Sequence, residues 1–286
     1  MKRLAAELAG KRAAIRVAEP ALDDLLSAPS ETKHDVIANA LSERMRFVLV
    51  APSHAGNVGA AARAMKVMGL ARLALVAPRY ADVLTQSDAL AFASGAGDLL
   101  RHATVHASLD DALAGTAWSV ALTAREREFA PPRLSLGDAA IKAAALAAQP
   151  AHNEIAFVFG SERYGLSNDD VLRCQATCAI ETGKSYTSLN LAQAVQLVAY
   201  ECRRAALTCN TPLFAQSDHR ALATHEERES LIAHFEAALV AIGYLDPAAP
   251  KKLMPRLKRL FARAELEHEE VQWLRGIAKA MLKLKG

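Results

Sequence analysis

The chain has 286 residues, of which 52% are hydrophobic and 23% are charged, and its formal net charge is +3. These values exclude a chain that is disordered throughout, and the small positive charge permits an anionic partner without requiring one. Because there is no run of about 18 apolar residues and no apolar core typical of a signal peptide, we expect a cytoplasmic protein with no membrane partner.

The first part of the chain predicts an extension followed by a β-α-β unit. Residues 1–44 carry two short amphipathic segments and no motif, which fits a docking helix, a loosely ordered extension, or a stretch that precedes a natural start at Met45. Residues 46–51 form an aliphatic run that is typical of a strand buried on both faces. A glycine-bearing turn and a helix follow over residues 53–70, and residues 72–77 form the second strand.

The alternation of strands and helices continues to about residue 180. The remaining predicted elements are strands at 118–122, 154–159 and 176–180 and helices at 109–114 and 136–148. This pattern predicts an α/β fold with a mostly parallel sheet covered by helices on both faces. Polar loops follow two of the strands, at 123–128 and 160–169, and such loops are where parallel sheets bind ligands.

The segment 188–201 predicts a helix that begins directly after a polar loop. Ser188 and Asn190 are both suited to a helix start, because their side chains accept hydrogen bonds from amides of the first turn. Taken alone, this segment fits either a ligand-binding turn or an ordinary loop capped by Ser188.

The chain after residue 210 predicts a small all-helical extension. A helix over 224–239 begins with the capping pattern formed by Thr224 and Glu227. Residues 251–263 hold six basic residues and no acidic one, with an apolar stripe formed by Leu253, Leu257, Leu260 and Phe261. A last helix spans 267–285. The basic face is suited to a phosphate backbone, but a merely solvated face fits the pattern equally well.

Two other types of site are poorly supported. The cysteines have neither paired spacing nor a secreted context, so we expect reduced and mostly buried thiols rather than disulfides, and no metal site; they are Cys174, Cys178, Cys202 and Cys209. No Gly-x-Gly-x-x-Gly follows the first strand, which disfavours a dinucleotide-dependent oxidoreductase.

Three segments, in this order, resemble the SpoU branch of the SPOUT RNA methyltransferases. They are Asn57 to Arg63, Phe159 to Leu166, and Ser188 to Glu201, each at a junction between a strand and a helix. The resemblance implies a C-terminal trefoil knot, S-adenosylmethionine as the cofactor, a homodimer and no DNA partner. The helical tail is similar to that of family members that methylate a tRNA ribose at position 32. The implied domains are an extension (1–44), a methyltransferase domain (45–210) and an appended RNA-binding domain (211–286).

The resemblance also implies the site residues. A ribose hydroxyl is a weak nucleophile, so the site must orient it and help remove its proton. Arg63 matches the family's arginine, which is proposed to act with an RNA phosphate. Since arginine is effectively always protonated, positioning and charge stabilisation suit it better than the role of a base. The remaining implied residues are Asn57, Glu162, Ser188 and Asn190 for catalysis, and Thr123, Ala124, Arg125, Gly160, Ile180, Thr187, Ser188 and Leu189 for the cofactor.

The sequence is compatible with several alternatives. Glu162 could hold either the arginine or its own loop, and both Glu162 and Asn190 could be purely structural. The same reaction on ribosomal RNA fits the motifs, because they specify the chemistry more than the target. A non-catalytic RNA-binding module of the same fold is the third reading.

Overall fold

The computed structural model describes residues 41–149, 153–183, 188–208 and 221–283. Within these ranges seven strands form one sheet whose neighbouring strands are all paired in parallel, in the order β3-β2-β1-β6-β4-β7-β5. The strands are β1 (Met45–Val50), β2 (Arg72–Val76), β3 (Thr104–His106), β4 (Thr116–Leu122), β5 (Arg133–Leu134), β6 (Glu154–Phe159) and β7 (Ala176–Cys178). The predicted mostly parallel sheet is therefore confirmed.

Helices connect the strands and then form the tail. Those of the sheet domain are α1 (Ala55–Val67), α2 (Ser87–Ala93), α3 (Gly97–His102), α4 (Leu109–Leu113), α5 (Leu136–Ala148), α6 (Asn168–Leu172) and α7 (Leu191–Thr208). Those of the tail are α8 (His225–Ala241), α9 (Leu253–Ala264) and α10 (His268–Lys283). None of the helices in the described ranges combines the length and the apolar character needed to cross a membrane.

Both faces of the sheet are covered, because successive side chains of each strand point to opposite sides. Phe47 of β1 and Phe157 of β6 lie in the larger core, together with buried residues of α1, α5 and α7. Val48 and Val158 lie in the smaller core on the other face, against α4 and α6. This arrangement explains the unbroken aliphatic runs that identified the strands in the sequence.

The turn before α1 differs from the prediction. Gly56 lies inside the helix, and the turn is formed by residues 51–54, where Ala51 adopts a left-handed φ of 47°. α1 approaches α2 closely at Gly59, because a Cβ there would lie 2.1 Å from the carbonyl oxygen of Ala89 in α2. Only glycine therefore fits at this crossing.

Some element boundaries also differ. β4 begins two residues earlier than predicted and β7 ends two residues earlier. The short edge strand β5 was not predicted, because it follows Pro131 and Pro132, which indicate a loop. Among the described cysteines, Cys174, Cys178 and Cys202 are buried free thiols, as expected. The predictions for residues 1–40, for Thr187 and for Cys209 lie outside the described residues.

The helical tail has a core of its own and is joined to the sheet domain. Buried residues from α8, α9 and α10 form this core, and the predicted capping box of Thr224 and Glu227 is present. At the junction, the backbone amide of Gly115 donates to the carboxylate of Glu226 at 2.9 and 3.1 Å. The predicted apolar stripe of α9 is wrong at Leu260, which is 48% exposed. The side chains of α9 that pack in this core are Met254, Leu257 and Phe261, which are spaced along one face of the helix.

Candidate active site

A chain of hydrogen bonds joins the three segments that the resemblance singled out. The Nδ2 group of Asn190 donates to Oδ1 of Asn57 at 2.9 Å, and Nδ2 of Asn57 donates to Oε1 of Glu162 at 2.7 Å. The other carboxylate oxygen of Glu162 accepts from the backbone amide of Ser53 at 3.0 Å and from its hydroxyl at 2.7 Å. The loop before α1, the loop after β6 and the start of α7 are thereby connected.

Asn190 is positioned because it caps α7. Its Oδ1 accepts from the backbone amides of Ala192 at 2.8 Å and Gln193 at 3.4 Å. The side chain of Gln193 accepts in turn from the amide of Asn190 at 3.3 Å. This reciprocal arrangement satisfies unpaired amides of the first turn. Ser188, the cap in one reading of the sequence, lies outside the helix and is exposed.

Glu162 is held as a carboxylate by its partners. Burial is the largest effect on its pKa and would raise it, but the hydrogen bonds from Asn57 and Ser53 outweigh burial and lower the pKa of Glu162 below its ordinary value. Both carboxylate oxygens are occupied by these donors. Of the two roles considered for Glu162, its contacts therefore fit holding the loop rather than holding Arg63.

Arg63 is separate from this chain of hydrogen bonds. Its side chain is exposed and makes no hydrogen bond or ion pair with the residues that the structure describes. The spacing of Gly56, Ala60 and Arg63 places all three on one face of α1, with Arg63 one turn beyond Ala60. The guanidinium is thus available to an anion that approaches this face.

Three of the residues implied for the cofactor follow neighbouring strands. Leu122 pairs with Phe159 of β6 and with Cys178 of β7, so Thr123, Gly160 and Ile180 lie just beyond the carboxyl ends of β4, β6 and β7. Gly160 is required by packing, because a Cβ there would lie 2.1 Å from the carbonyl carbon of Gly165. Backbone groups at this edge suit the polar edge of a bound ligand.

Arg127 ties two of these loops together, and the sequence reasoning did not identify it. Its guanidinium donates to Oγ1 of Thr123 at 2.7 Å, to the carbonyl of Leu166 at 2.7 Å and to Oδ1 of Asn168 at 2.8 Å. Thr123 also accepts from the amide of Arg125 at 3.3 Å. The loop after β4 is therefore held against the loop after β6. The charged run 123–128 was the available signal, but it did not distinguish Arg127 from its neighbours.

The other residues implied for the cofactor are placed less closely together. Ala124 and Arg125 are exposed in the loop after β4. Ser188 is exposed and Leu189 is half-buried in the segment that leads into α7, and Thr187 lies outside the described residues.

The basic helix α9 lies beside the loop after β4. The Nζ atom of Lys252 is 2.6 Å from the carboxylate of Glu128. Lys252 and Arg256 also stand 5.2 and 5.5 Å from the ring centroid of Phe129. The cationic tail thus begins next to a loop that carries residues implied for the cofactor.

Comparison with known proteins places these features in a family. Residues 44–200 match the model of the SpoU rRNA methylase family, and residues 226–285 match that of the tRNA methyltransferase TrmJ C-terminal domain. A Klebsiella pneumoniae tRNA (cytidine/uridine-2'-O-)-methyltransferase TrmJ is 40% identical over 243 residues, which is 82% of this chain and 95% of that protein.

Solved structures agree with the sequence comparison. TrmJ from Z. mobilis ZM4 is 33% identical with a TM-score of 0.70, and the match covers 82% of this chain and 98% of that chain. A probable methyltransferase from Bordetella pertussis Tohama I is 45% identical with a TM-score of 0.56, over 59% of this chain and 99% of that chain.

Proposed function

The chain belongs to the SpoU methylase family and to its TrmJ branch, and from this membership we propose that it methylates a ribose 2′-hydroxyl of tRNA. The protein is an enzyme, a tRNA (cytidine/uridine-2'-O-)-methyltransferase. The observation that carries this conclusion is the similarity to TrmJ over nearly the whole length of that protein, sheet domain and helical tail together.

S-adenosylmethionine is the proposed methyl donor. The residues that would hold it are Thr123, Ala124, Arg125, Gly160, Ile180, Thr187, Ser188 and Leu189. The position of Thr123, Gly160 and Ile180 just beyond the carboxyl ends of β4, β6 and β7 supports this assignment, because parallel sheets bind ligands at that edge. When bound, the cofactor supplies an electrophilic methyl group on its sulfonium. The protein then has to present a hydroxyl to that methyl.

The side chains of the site orient the hydroxyl and stabilise charge. Asn57 and Asn190 each use one amide hydrogen within the hydrogen-bonded chain, which leaves the second hydrogen of each to orient the ribose. Arg63, with its exposed guanidinium, binds an RNA phosphate, and an oxygen of that phosphate accepts the proton that the hydroxyl loses as the methyl is transferred. The guanidinium stabilises the negative charge that develops in this step. Glu162 is a positioning residue that acts through Asn57. Ser188 is proposed to contact the reacting groups from the segment before α7.

The RNA target is proposed to be nucleotide 32 in the anticodon loop of tRNA. The helical tail supports a tRNA target, because residues 226–285 match the family model for the C-terminal domain of a tRNA methyltransferase. The description of the SpoU family as rRNA methylases keeps ribosomal RNA as the second candidate. Hydrogen bonds connect Asn190, Asn57 and Glu162, and Arg63 makes no hydrogen bond or ion pair with the described residues. Both observations argue against a non-catalytic RNA-binding module.

The tail is proposed to bind RNA, within the domain boundaries 1–44, 45–210 and 211–286. Arg259 and Arg263 of α9 are exposed and make no ion pair with the described residues. Cations placed in this way attract a phosphate backbone. Their helix begins next to the loop after β4, which supports a continuous path for RNA from the tail to the site.

A homodimer, the trefoil knot and a cytoplasmic location complete the proposal. Exposed apolar side chains on α1 and α7 support a dimer, since Val67 is 69% exposed, Tyr200 50% and Leu197 39%. The overlap with the Z. mobilis protein supports the knot. A tRNA substrate supports a cytoplasmic location of the protein.

The direct test is methyl transfer from labelled S-adenosylmethionine to unmodified tRNA, with ribosomal RNA offered in a parallel reaction. We expect label in tRNA alone. Label in ribosomal RNA alone would establish the second candidate, and cofactor binding without any transfer would exclude an active enzyme.

A further inference from the structure

A cavity of about 710 Å³ opens beside the Asn57 and Asn190 pair. The outward face of α1 forms its floor through Gly56, Asn57 and Ala60, and the start of α7 forms one wall. The opposite wall comes from the loop after β2 and from α2. The volume is within the range of small-molecule sites.

The wall opposite α7 is aromatic. Phe92 of α2 is 59% exposed and Tyr80 is 43% exposed. The Phe92 ring lies across the floor, 3.3 Å from where a Cβ of Gly56 would stand. Arg79 stacks on Tyr80, with its guanidinium carbon 5.2 Å from the ring centroid. Proteins hold unstacked RNA bases on such aromatic and guanidinium planes.

The polar groups around the cavity match the edges of a nucleotide. Asn57 offers its free amide hydrogen from the floor, and Asn190 offers its own from the wall at the start of α7. Gln86 donates its amide to Asp82 at 2.8 Å, which leaves its Oε1 as an acceptor. Asp88 adds a carboxylate that makes no side-chain hydrogen bond or ion pair with the rest of the described chain and can accept from an amine or a ribose hydroxyl. Arg79 offsets that negative charge and can take the phosphate.

We propose that this cavity receives the nucleotide to be methylated, with its base stacked against Tyr80 and Phe92 and its phosphate facing Arg79. The proposal rests on the proposed function and adds the place where the substrate base is held. It fits the position of Arg63, which projects from the same face of α1 one turn beyond the cavity floor. The nucleotide must leave the stacked loop to enter, and the aromatic rings replace the stacking that it loses.

Steady-state kinetics test the proposal. Stacking of one base on an aromatic ring contributes about 1–3 kcal/mol. Tyr80→Ala and Phe92→Ala should therefore each lower kcat/KM for tRNA by about 5- to 150-fold. Tyr80→Phe should restore most of the activity, and the affinity for S-adenosylmethionine, measured by calorimetry, should not change. Ile141→Ala, which truncates an exposed apolar side chain of α5 outside the cavity, is the matched control.

Results of two kinds would overturn the pocket. The first is unchanged kinetics in both alanine variants. The second is a loss of activity in a variant that light scattering shows to be a monomer while the wild type is a dimer, because this would assign Phe92 to contact with a second copy.

Photocross-linking separates this proposal from the proposed function, because it does not require methyl transfer. A tRNA carrying 4-thiouridine at the nucleotide to be modified should cross-link to the peptides that contain Tyr80 or Phe92. Cross-links confined to α9 would contradict the pocket. Wild-type protein that fails to methylate tRNA yet cross-links at Tyr80 would refute the activity and support the pocket. Methylation with no cross-link there would do the reverse.

Discussion

The side-chain amide of Asn190 donates a hydrogen bond to Oδ1 of Asn57 at 2.9 Å, although the two residues are 133 positions apart in the chain. Asn190 caps α7, and Asn57 lies in the first turn of α1. The starts of two helices are thus joined by a hydrogen bond, and Asn57 also donates a hydrogen bond to Glu162. Groups held in this way have few alternative rotamers, which is the condition for orienting a hydroxyl.

The first prediction concerns this pair. Asn57→Ala and Asn190→Ala should each lower the single-turnover methylation rate by about tenfold or more. Because each substitution breaks the same hydrogen bond, the double variant should be little slower than the slower single variant, with a coupling energy of about 0.5–3 kcal/mol. A matched control is Gln193→Ala, which removes part of the cap but leaves both asparagines. Strictly additive losses would show that the two asparagines act independently.

The second prediction concerns Arg63. Arg63→Ala should lower the rate at saturating cofactor by about 100-fold or more, because the site loses a cation that faces the substrate phosphate. Arg63→Lys should recover part of the rate, since the charge returns without the planar guanidinium. The control is Lys66→Ala on the same helix, where the exposed lysine pairs with Asp98 at 2.7 Å. Full activity in Arg63→Ala would remove this residue from the mechanism.

The third prediction concerns Glu162 and pH. Since its pKa is below the ordinary value of 4.5 in the folded protein, the unfolded chain binds more protons as the pH falls below about 4.5. The stabilisation from Glu162 is therefore complete above that pH and is lost as the pH falls through the folded-state pKa. Glu162→Gln should lower the free energy of unfolding by about 1–2 kcal/mol at pH 7.

Urea unfolding at several pH values provides the measurement. The difference between wild type and Glu162→Gln should shrink below pH 4.5. Glu126→Gln, at a carboxylate whose side chain is 90% exposed, should show no comparable change. A difference that stays constant down to pH 3 would mean that the charge of Glu162 is not what stabilises the loop.

How far the fold could be predicted is clear from β1 and β6. Each is an aliphatic run buried on both faces, and this local pattern indicates a strand wherever it occurs. The predicted element boundaries were wrong where strand pairing overrode the local sequence pattern. β5, for example, forms only because Arg133 and Leu134 pair with β7 after two prolines.

The site was predicted only in part, for a physical reason. Asn57, Glu162 and Asn190 could be named because they belong to ordered motifs. Ser53 and Arg127 could not be predicted, because their hydrogen-bond partners Glu162 and Asn168 are 109 and 41 positions away in the chain. The local sequence contains no sign of such hydrogen bonds. Phe92 could not be recognised from the sequence for the same reason, since only the fold places its ring over Gly56.

The fourth prediction concerns the tail. Arg259→Ala and Arg263→Ala should each weaken tRNA binding, and each should reduce the slope of log K against log salt concentration by about 1, because one phosphate contact is lost. Lys279→Ala, at an exposed lysine of α10, is the control and should leave the slope unchanged. Slopes that match wild type in both arginine variants would exclude α9 from the RNA interface.

Methylation of a ribose hydroxyl in tRNA can be detected directly by mass spectrometry. Unmodified tRNA is incubated with the protein and S-adenosylmethionine that carries a trideuterated methyl group, then digested and analysed by mass spectrometry. We expect the heavy methyl on the ribose of a single nucleotide, at position 32 of the anticodon loop. A heavy methyl on a base, or none in tRNA while ribosomal RNA is labelled, would contradict the account.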